Sequence, residues 1–577
     1  MKSTQVRTVA AIILVLVFLF GTSTAILLNF DFGKLAVNTV VINDGVKELS
    51  GLLYRPAYAS ADNRVPAIVI AHGISESKDM MSSLGLELSR RGLVVLCLDL
   101  LGHGQSGGTV EDGINEPSFG VTAAVQYLMA QPFVNSFAIG LIGHSLGGGA
   151  VRAAAAEDGH IEAVVLIAGG LGDVAQGPEY GALNSTFPKN LLVVVGKYDV
   201  LFNLTELATK ELPSAFDTNQ TVVPGVLYGD FQSQTARQLF TPTTTHLFEP
   251  LDPTVITQTI VWMQNTFKTA PASETNLNTN LIYLEREVSI LAAIVGLFGI
   301  VFLAFFPITH SMGSKAQKNA PAKRFETLGN WRAYIVWDAL NIALFLPMVF
   351  VGFAIAFPPL IFGASIAWWM LATGIIGLLL LAKNLPKLFI SKIGLKETLR
   401  RTFDRKDWLT AIVLFVMLFV VSSSLETLFG LNLRIIAPLF QAIISLRRLG
   451  AFLVFLPFSL AYFAAEGLYL HEFSGKTQQR QQGNWVDLRN CVKTVLIKIA
   501  PFLAIICLQY LSKVFFNIWI LPGTFGFLVE FLWIIIPIFI INTACSWWFY
   551  KNTGRVGTGA VFNALLIAWI ASVVFPF

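Results

Sequence analysis

The sequence is short of charge. Asp, Glu, Lys and Arg make up 13% of its 577 residues and hydrophobic residues 54%, which is not the balance of an ordinary water-soluble chain. Cysteine is scarce too. Cys97, Cys491, Cys507 and Cys545 are the four present, and no pair has the CxxC spacing of a zinc or redox site. Cys97 falls in a short apolar run and the others in or beside long ones, so no disulfide framework is expected. The net charge of +4 is small and no basic stripe interleaves with aromatics, so nucleic acid is not an expected partner. Nothing in these patterns calls for a metal or a cofactor.

What is abundant is apolar length, unevenly spread. Residues 29–286 carry charges, prolines and turn signals at globular density. From Val288 onward, apolar runs of roughly 20 residues recur, the length that crosses a bilayer core. The chain therefore divides into an N-terminal anchor (1–28), an extracytoplasmic α/β domain (29–270), a linker (271–287) and an all-α multi-span transmembrane domain of about eight helices (288–577). Residues 9–28 follow Lys2 and Arg7 and read as an uncleaved signal anchor; a cleaved secretory signal with a weak site around Ser23 and Ala25 is the alternative. Either places residue 29 onward outside the cytoplasm.

The later runs agree with that sidedness. Spans are expected near 288–308, 333–357, 360–382, 408–430, 449–470, 495–520, 525–547 and 558–577. Counting from a cytoplasmic N-terminus puts the basic loops at 315–324, 383–406, 476–493 and 551–555 on the cytoplasmic side. Residues 433–448, LRIIAPLFQAIISLRR, are too short between Arg434 and Arg447 to span, and read as an interfacial or re-entrant helix on the outer face. Asp338, Asn341, Glu466, Lys513 and Glu530 are polar positions inside apolar runs. Lys513 and Glu530 flank the Leu521–Gly523 turn and are placed to pair across it, helix–helix glue being the plainer reading of the set.

The 29–270 region has a different rhythm. Short apolar runs at 65–71, 93–98, 137–142, 163–168 and 191–195 alternate with helical stretches at 78–91, 118–130 and 147–157. That pattern argues for a mostly parallel sheet with helices on both faces. Residues 36–54 read as leading antiparallel strands. Ligands of such sheets bind at the strands' C-terminal ends, where His72, Asp99, Ser145 and Asp199 stand.

One of those ends carries Gly143-His144-Ser145-Leu146-Gly147, a G-x-S-x-G pattern between strand and helix. A serine on so sharp a turn needs small neighbours, because a Cβ at Gly143 or Gly147 would collide with strand or helix. The helix that follows aims its free N–H groups at the serine. With His72-Gly73 after an earlier strand and Asp99-Leu100-Leu101-Gly102-His103-Gly104-Gln105-Ser106-Gly107 after the next, residues 36–268 resemble the α/β-hydrolase superfamily on its esterase and lipase side. The resemblance does not extend to the region from 288 on.

The resemblance implies a Ser–acid–His order, with Ser145 as nucleophile. Only His160 and His246 follow Ser145 within the domain. His160 closes the helix that the elbow opens, which leaves His246 as base. Asp199, after the strand LLVVV, matches the acid's place, and Asp173 is its rival. The resemblance also implies an oxyanion hole from the backbone N–H groups of Ile74 and Leu146, with His72, Gly73, Gly143, His144 and Gly147 shaping elbow and loop. Residues 171–190 and 200–245 are lid candidates; sequons at Asn184, Asn203 and Asn219 fall there. The leading expectation is a membrane-anchored serine hydrolase cleaving carboxylic esters, its substrates lipid or acyl compounds at the bilayer. Acyl transfer and peptide or amide cleavage by the same triad stay open, as does a transporter or scaffold with an accessory hydrolase-like domain.

Overall fold

The structure, a computed structural model, describes residues 3–43, 45, 47–171, 178–269, 280–311, 331–388, 404–434, 441–442, 445–472 and 484–577. It opens with helix α1 (Ser3–Asn29). A nine-stranded sheet follows, with strand order β1-β2-β4-β3-β5-β6-β7-β9-β8. The strands are β1 (Leu35–Asn43), β2 (Glu48–Pro56), β3 (Val65–Ala71), β4 (Val94–Leu98), β5 (Val134–His144), β6 (Ile161–Ile167), β7 (Leu191–Val194), β8 (Leu227–Tyr228) and β9 (Arg237–Phe240). Strands β4, β3, β5, β6, β7 and β9 run parallel. The β1–β2, β2–β4 and β8–β9 pairs are antiparallel.

The apolar runs form strands because both faces of the sheet are covered. Along β3, Ala67, Val69 and Ala71 enter one core while Ile68 and Ile70 enter the other, the two-residue alternation of a pleated strand. After the short α3 (Val110–Asn115), helices α4 (Val121–Met129) and α5 (Leu146–Glu157) bury apolar residues in the first core. Helix α2 (Ser82–Ser89) and the helix Pro253–Phe267 do so in the second. The domain is an α/β-hydrolase fold with a mostly parallel sheet.

The short strands β8 and β9 were not expected. RQLF of β9 begins with Arg237, and arginine is a residue type mostly found exposed. It is buried instead, its guanidinium donating to the carbonyls of Ala215, Ala236 and Asn184. Those three bonds pay for its burial.

The rest of the chain is helical. Among the described residues, nine helices are long and apolar enough to cross a membrane, each on one of the apolar runs of the sequence. The second, Tyr283–Ser311, begins inside the expected 271–287 linker, of which 271–279 lie outside the described residues. The eighth, Gly523–Thr553, is broken at Phe531 into the helices Gly523–Glu530 and Leu532–Thr553.

Alternate helix ends gather against the α/β domain, where polar contacts bind them. Arg286 donates to Asn29, Tyr54, Ser82, Ser83 and Glu287. Arg434 donates to the same Glu287 at 2.6 Å. Gln441 donates to Asp79 (3.0 Å) and Gln105 to Glu426. At the C-terminus, the Phe577 N–H donates to the Gly102 carbonyl while the Phe577 carbonyl accepts from Val110. Half of 433–448 lies outside the described residues, namely 435–440 and 443–444. Its arginines are interface residues: Arg448 donates to the carbonyls of Gly102, Ser572 and Phe575, and Arg447 to that of Gly108.

Inside the bundle, Glu466 forms a buried ion pair with Lys498, and Asn341 accepts from Tyr462 at 2.9 Å. The pairing of Lys513 with Glu530 does not occur. Lys513 Nζ lies 5.4 Å from the Trp519 ring centroid, and Glu530 turns to the α/β domain.

Candidate active site

Strand β5 ends at His144, and Ser145 makes the turn into α5 with φ 52° and ψ −117°. That left-handed φ is strained for a residue with a side chain and is held by its surroundings. A Cβ on Gly143 would stand 2.2 Å from the Gly147 carbonyl oxygen, and one on Gly147 would stand 2.5 Å from that of Ala71. Only glycine lets strand, turn and helix close this tightly.

Three side chains meet at the turn. His246 Nε2 lies 3.0 Å from Ser145 Oγ, and His246 Nδ1 lies 2.8 Å from Asp199 Oδ2. Asp199 follows β7, and its other oxygen accepts the Leu201 N–H at 2.7 Å. His246 opens a short 3-10 turn, His246–Leu251, reached from β9. Asp199 is the acid that contacts His246; Asp173 lies outside the described residues. His160 is exposed and pairs with Asp158 at 2.7 Å.

The loop after β3 presses on this turn. A Cβ on Gly73 would stand 3.1 Å from that of Ser145, and Ile74 lines the cavity in front of it. Leu146 opens α5. His72 Nε2 accepts the Leu100 N–H at 3.1 Å, so Nδ1 carries the proton that it donates to the Gly73 carbonyl at 2.7 Å. Burial holds this ring below its usual pKa, consistent with a neutral structural histidine. His103 is pushed down to about 3 by burial and the neighbouring His72.

Three buried carboxylates surround the histidines. Glu76 accepts the Gly73 N–H at 2.7 Å and lies 3.1 Å from His144 Nδ1. Burial opposes its ionisation, but His144, Gly73 and His72 hold it below the usual carboxylate range. Glu249 accepts the Gly196 N–H at 2.5 Å; burial and the nearby Asp199 push it well above that range. Glu530, from the broken eighth helix, accepts the Leu247 N–H at 3.0 Å and the Tyr510 hydroxyl at 3.0 Å. For His246, burial disfavours the charged ring. Asp199, with help from Glu530 and Glu76, outweighs this and raises its pKa above the ordinary value.

His144, His246 and Glu249 bring possible metal-ligand atoms within 4.8 Å of one another. Both nitrogens of His246 are engaged by Ser145 and Asp199, and His144 Nε2 lies 3.1 Å from the His246 carbonyl. Both histidines of the group are thus engaged within the protein.

The cavity over Ser145 has a volume of about 450 Å³, its open mouth included. One wall comes from Gly73, Ile74, Ser145 and His246, and the other from Phe527, Glu530, Phe531 and Ile534 of the helical domain. The Phe527 ring stands edge-on to His246, centroids 5.4 Å apart. Among the described residues, neither 178–190 nor 200–245 lines this cavity; residues 172–177 lie outside them. The sequence reading missed Phe527, Phe531 and Ile534, which look like any other lipid-facing residues. Glu530 did carry a signal, an ionisable residue in an apolar span.

Residues 66–205 match the family model described as the alpha/beta hydrolase fold, and they contain the β3 end, the elbow and Asp199. A 122-residue stretch, 20% of the chain, is 36% identical to an uncharacterised protein of Pseudomonas aeruginosa. It spans about a third of that relative's length, 32%. Among solved structures, an esterase of Pyrococcus furiosus is 16% identical, with a TM-score of 0.32, covering 40% of this chain and 92% of that one. A dienelactone hydrolase of Anabaena variabilis is 23% identical, with a TM-score of 0.27, covering 41% and 98%. The sheet-bearing part of the chain has the α/β-hydrolase fold and is joined to a helical domain that completes its cavity.

Proposed function

We propose that the protein is a membrane-anchored serine hydrolase that cleaves carboxylic esters through an acyl-enzyme. The observation that carries this reading is the unbroken hydrogen-bond chain Ser145–His246–Asp199 on a serine held at a strained turn. His246 Nε2 takes the Oγ proton as Oγ bonds to the ester carbonyl carbon. The N–H groups of Leu146 and Ile74 receive the developing oxyanion. Collapse breaks the bond to the alcohol oxygen, which leaves with the proton from His246. Water then attacks the acyl carbon, again giving a proton to His246. The free acid departs and Ser145 recovers its proton.

A neutral His246 is required, so its raised pKa sets the acidic limb of activity. In the purified full-length protein, kcat/KM for a short p-nitrophenyl ester should rise with pH through a single limb above the ordinary histidine value of about 6.5. Glu530 supports the protonated ring, so Glu530→Gln should move that limb to lower pH while keeping an acceptor for Leu247. A wild-type rate independent of pH between about 5 and 8 would exclude a histidine base. A limb unmoved by Glu530→Gln would remove Glu530 from the account.

The nine apolar helices are proposed as membrane spans, with the hydrolase domain outside the cytoplasm. Sidedness rests on the basic loops at 315–324, 383–406, 476–493 and 551–555, all on the side of the N-terminus in a nine-span count. In a variant lacking Cys491 and Cys507, a cysteine at exposed Gln220 should react with an impermeant maleimide on intact cells. One at Lys551 should react only after lysis. The reverse pattern would invert the orientation.

A further inference from the structure

A second cavity lies in the helical domain, beside the catalytic one. It has a volume of about 920 Å³, its open mouth included. Phe531 and Ile534 line both cavities. Those two side chains, at the break of the eighth helix, form the shared wall.

The chemistry of the two spaces differs. The cavity at Ser145 has Glu76, His144, His246 and Glu530 in its walls. The larger one is lined by aliphatic and aromatic side chains, and its few polar groups are already used. Ser365 Oγ donates to the Val349 carbonyl at 2.9 Å, and Trp369 Nε1 to that of Asn341 at 2.9 Å. A ligand there finds neither charge nor free hydrogen-bonding group. Water gains nothing by filling such a space, which suits an apolar ligand.

We infer that this chamber holds the long acyl chain of the substrate while its ester carbonyl sits at Ser145, so that the helical domain selects esters of long-chain fatty acids. The inference rests on the serine-hydrolase reading and adds the substrate class. An acyl chain from Ser145 reaches the chamber when the Phe531 and Ile534 side chains turn aside, and beyond them it meets only apolar surface. Its walls come from helices proposed to span the bilayer, including Gly363–Leu388 and Gly557–Val574, so an acyl lipid can supply the chain without crossing water. The arrangement also answers why a hydrolase domain is joined to so large a bundle: the bundle is the acyl half of the binding site.

The test fills the chamber far from Ser145. Ile570 and Val349 line the larger cavity and not the catalytic one. Full-length wild type, Ile570→Trp and Val349→Trp are assayed in one detergent on p-nitrophenyl butyrate and p-nitrophenyl palmitate. Comparing proteins on the same ester cancels differences in micelle partitioning. Apolar sites discriminate by about tenfold or more per methylene admitted or refused. Both variants are therefore expected to keep butyrate kcat/KM within about twofold and to lose at least about tenfold on palmitate. Retained butyrate turnover shows that a variant is folded, and the second variant serves if the first is not. Equal loss on both esters in both variants, or undiminished palmitate turnover, would overturn the acyl chamber and leave the hydrolase reading standing. A wild type that cleaves neither ester and forms no fluorophosphonate adduct would overturn the hydrolase reading, and the chamber with it.

Discussion

Ser145→Ala should lower ester hydrolysis by about four to six powers of ten and leave thermal unfolding in detergent unchanged. The expectation follows from how little else the hydroxyl does. Its recorded partner is His246 at 3.0 Å, and the turn is shaped by backbone and by Gly143 and Gly147, which alanine leaves in place. Activity that persisted in purified Ser145→Ala protein would assign the chemistry to another group.

Glu87→Ala should cost about 3–5 kcal/mol, the usual result of removing one partner from a buried charged network. Glu87 is fully buried on α2. One carboxylate oxygen accepts from Arg90 and Arg91, each at 2.8 Å. The other accepts the backbone N–H groups of Ile282 and Tyr283 at 2.7 and 2.8 Å, at the start of the helix Tyr283–Ser311. A hydrolase side chain thus caps the free N–H groups of a proposed span, where negative charge is also favoured. Truncation removes the carboxylate that Arg90 and Arg91 share and leaves two N–H groups without an acceptor. Glu87→Gln keeps an acceptor and loses the charge, so it should fall between. Thermal or urea unfolding in detergent measures this; a change for Glu87→Ala within about 0.5 kcal/mol, typical of a surface site, would contradict it.

What was legible in the sequence is what local pattern determines. Val65–Ala71 and Leu191–Val194 read as buried strands because both of their faces are apolar. Ser145 read as an elbow because a strand, two spaced glycines and an Ala-rich helix surround it. The long helices were legible because a bilayer requires length and apolarity, and both are visible in one dimension. Strand β9 was not, because the burial of Arg237 depends on carbonyls of Asn184 and Ala215 that the chain brings from afar. Glu530 was misread for the same reason: sequence distance favoured Lys513, while the fold supplies Leu247 and Tyr510. The same holds for Arg434, Arg447 and Arg448, whose charges are used at the interface between domains. The largest omission was the second wall of the cavity. Which helix end meets which sheet edge is decided by tertiary complementarity, and Phe527, Phe531 and Ile534 carry no local mark of it.

The central claim is that Ser145 is the nucleophile of a working hydrolase. Its most direct test is mass-spectrometric mapping of the adduct after the full-length protein, in its native membranes, is treated with a fluorophosphonate. The account predicts one phosphonyl group on the peptide containing Ser145, formed in step with loss of ester hydrolysis and absent from Ser145→Ala. An unmodified Ser145 in protein whose hydrolysis has been abolished, or an adduct on a different serine, would contradict it.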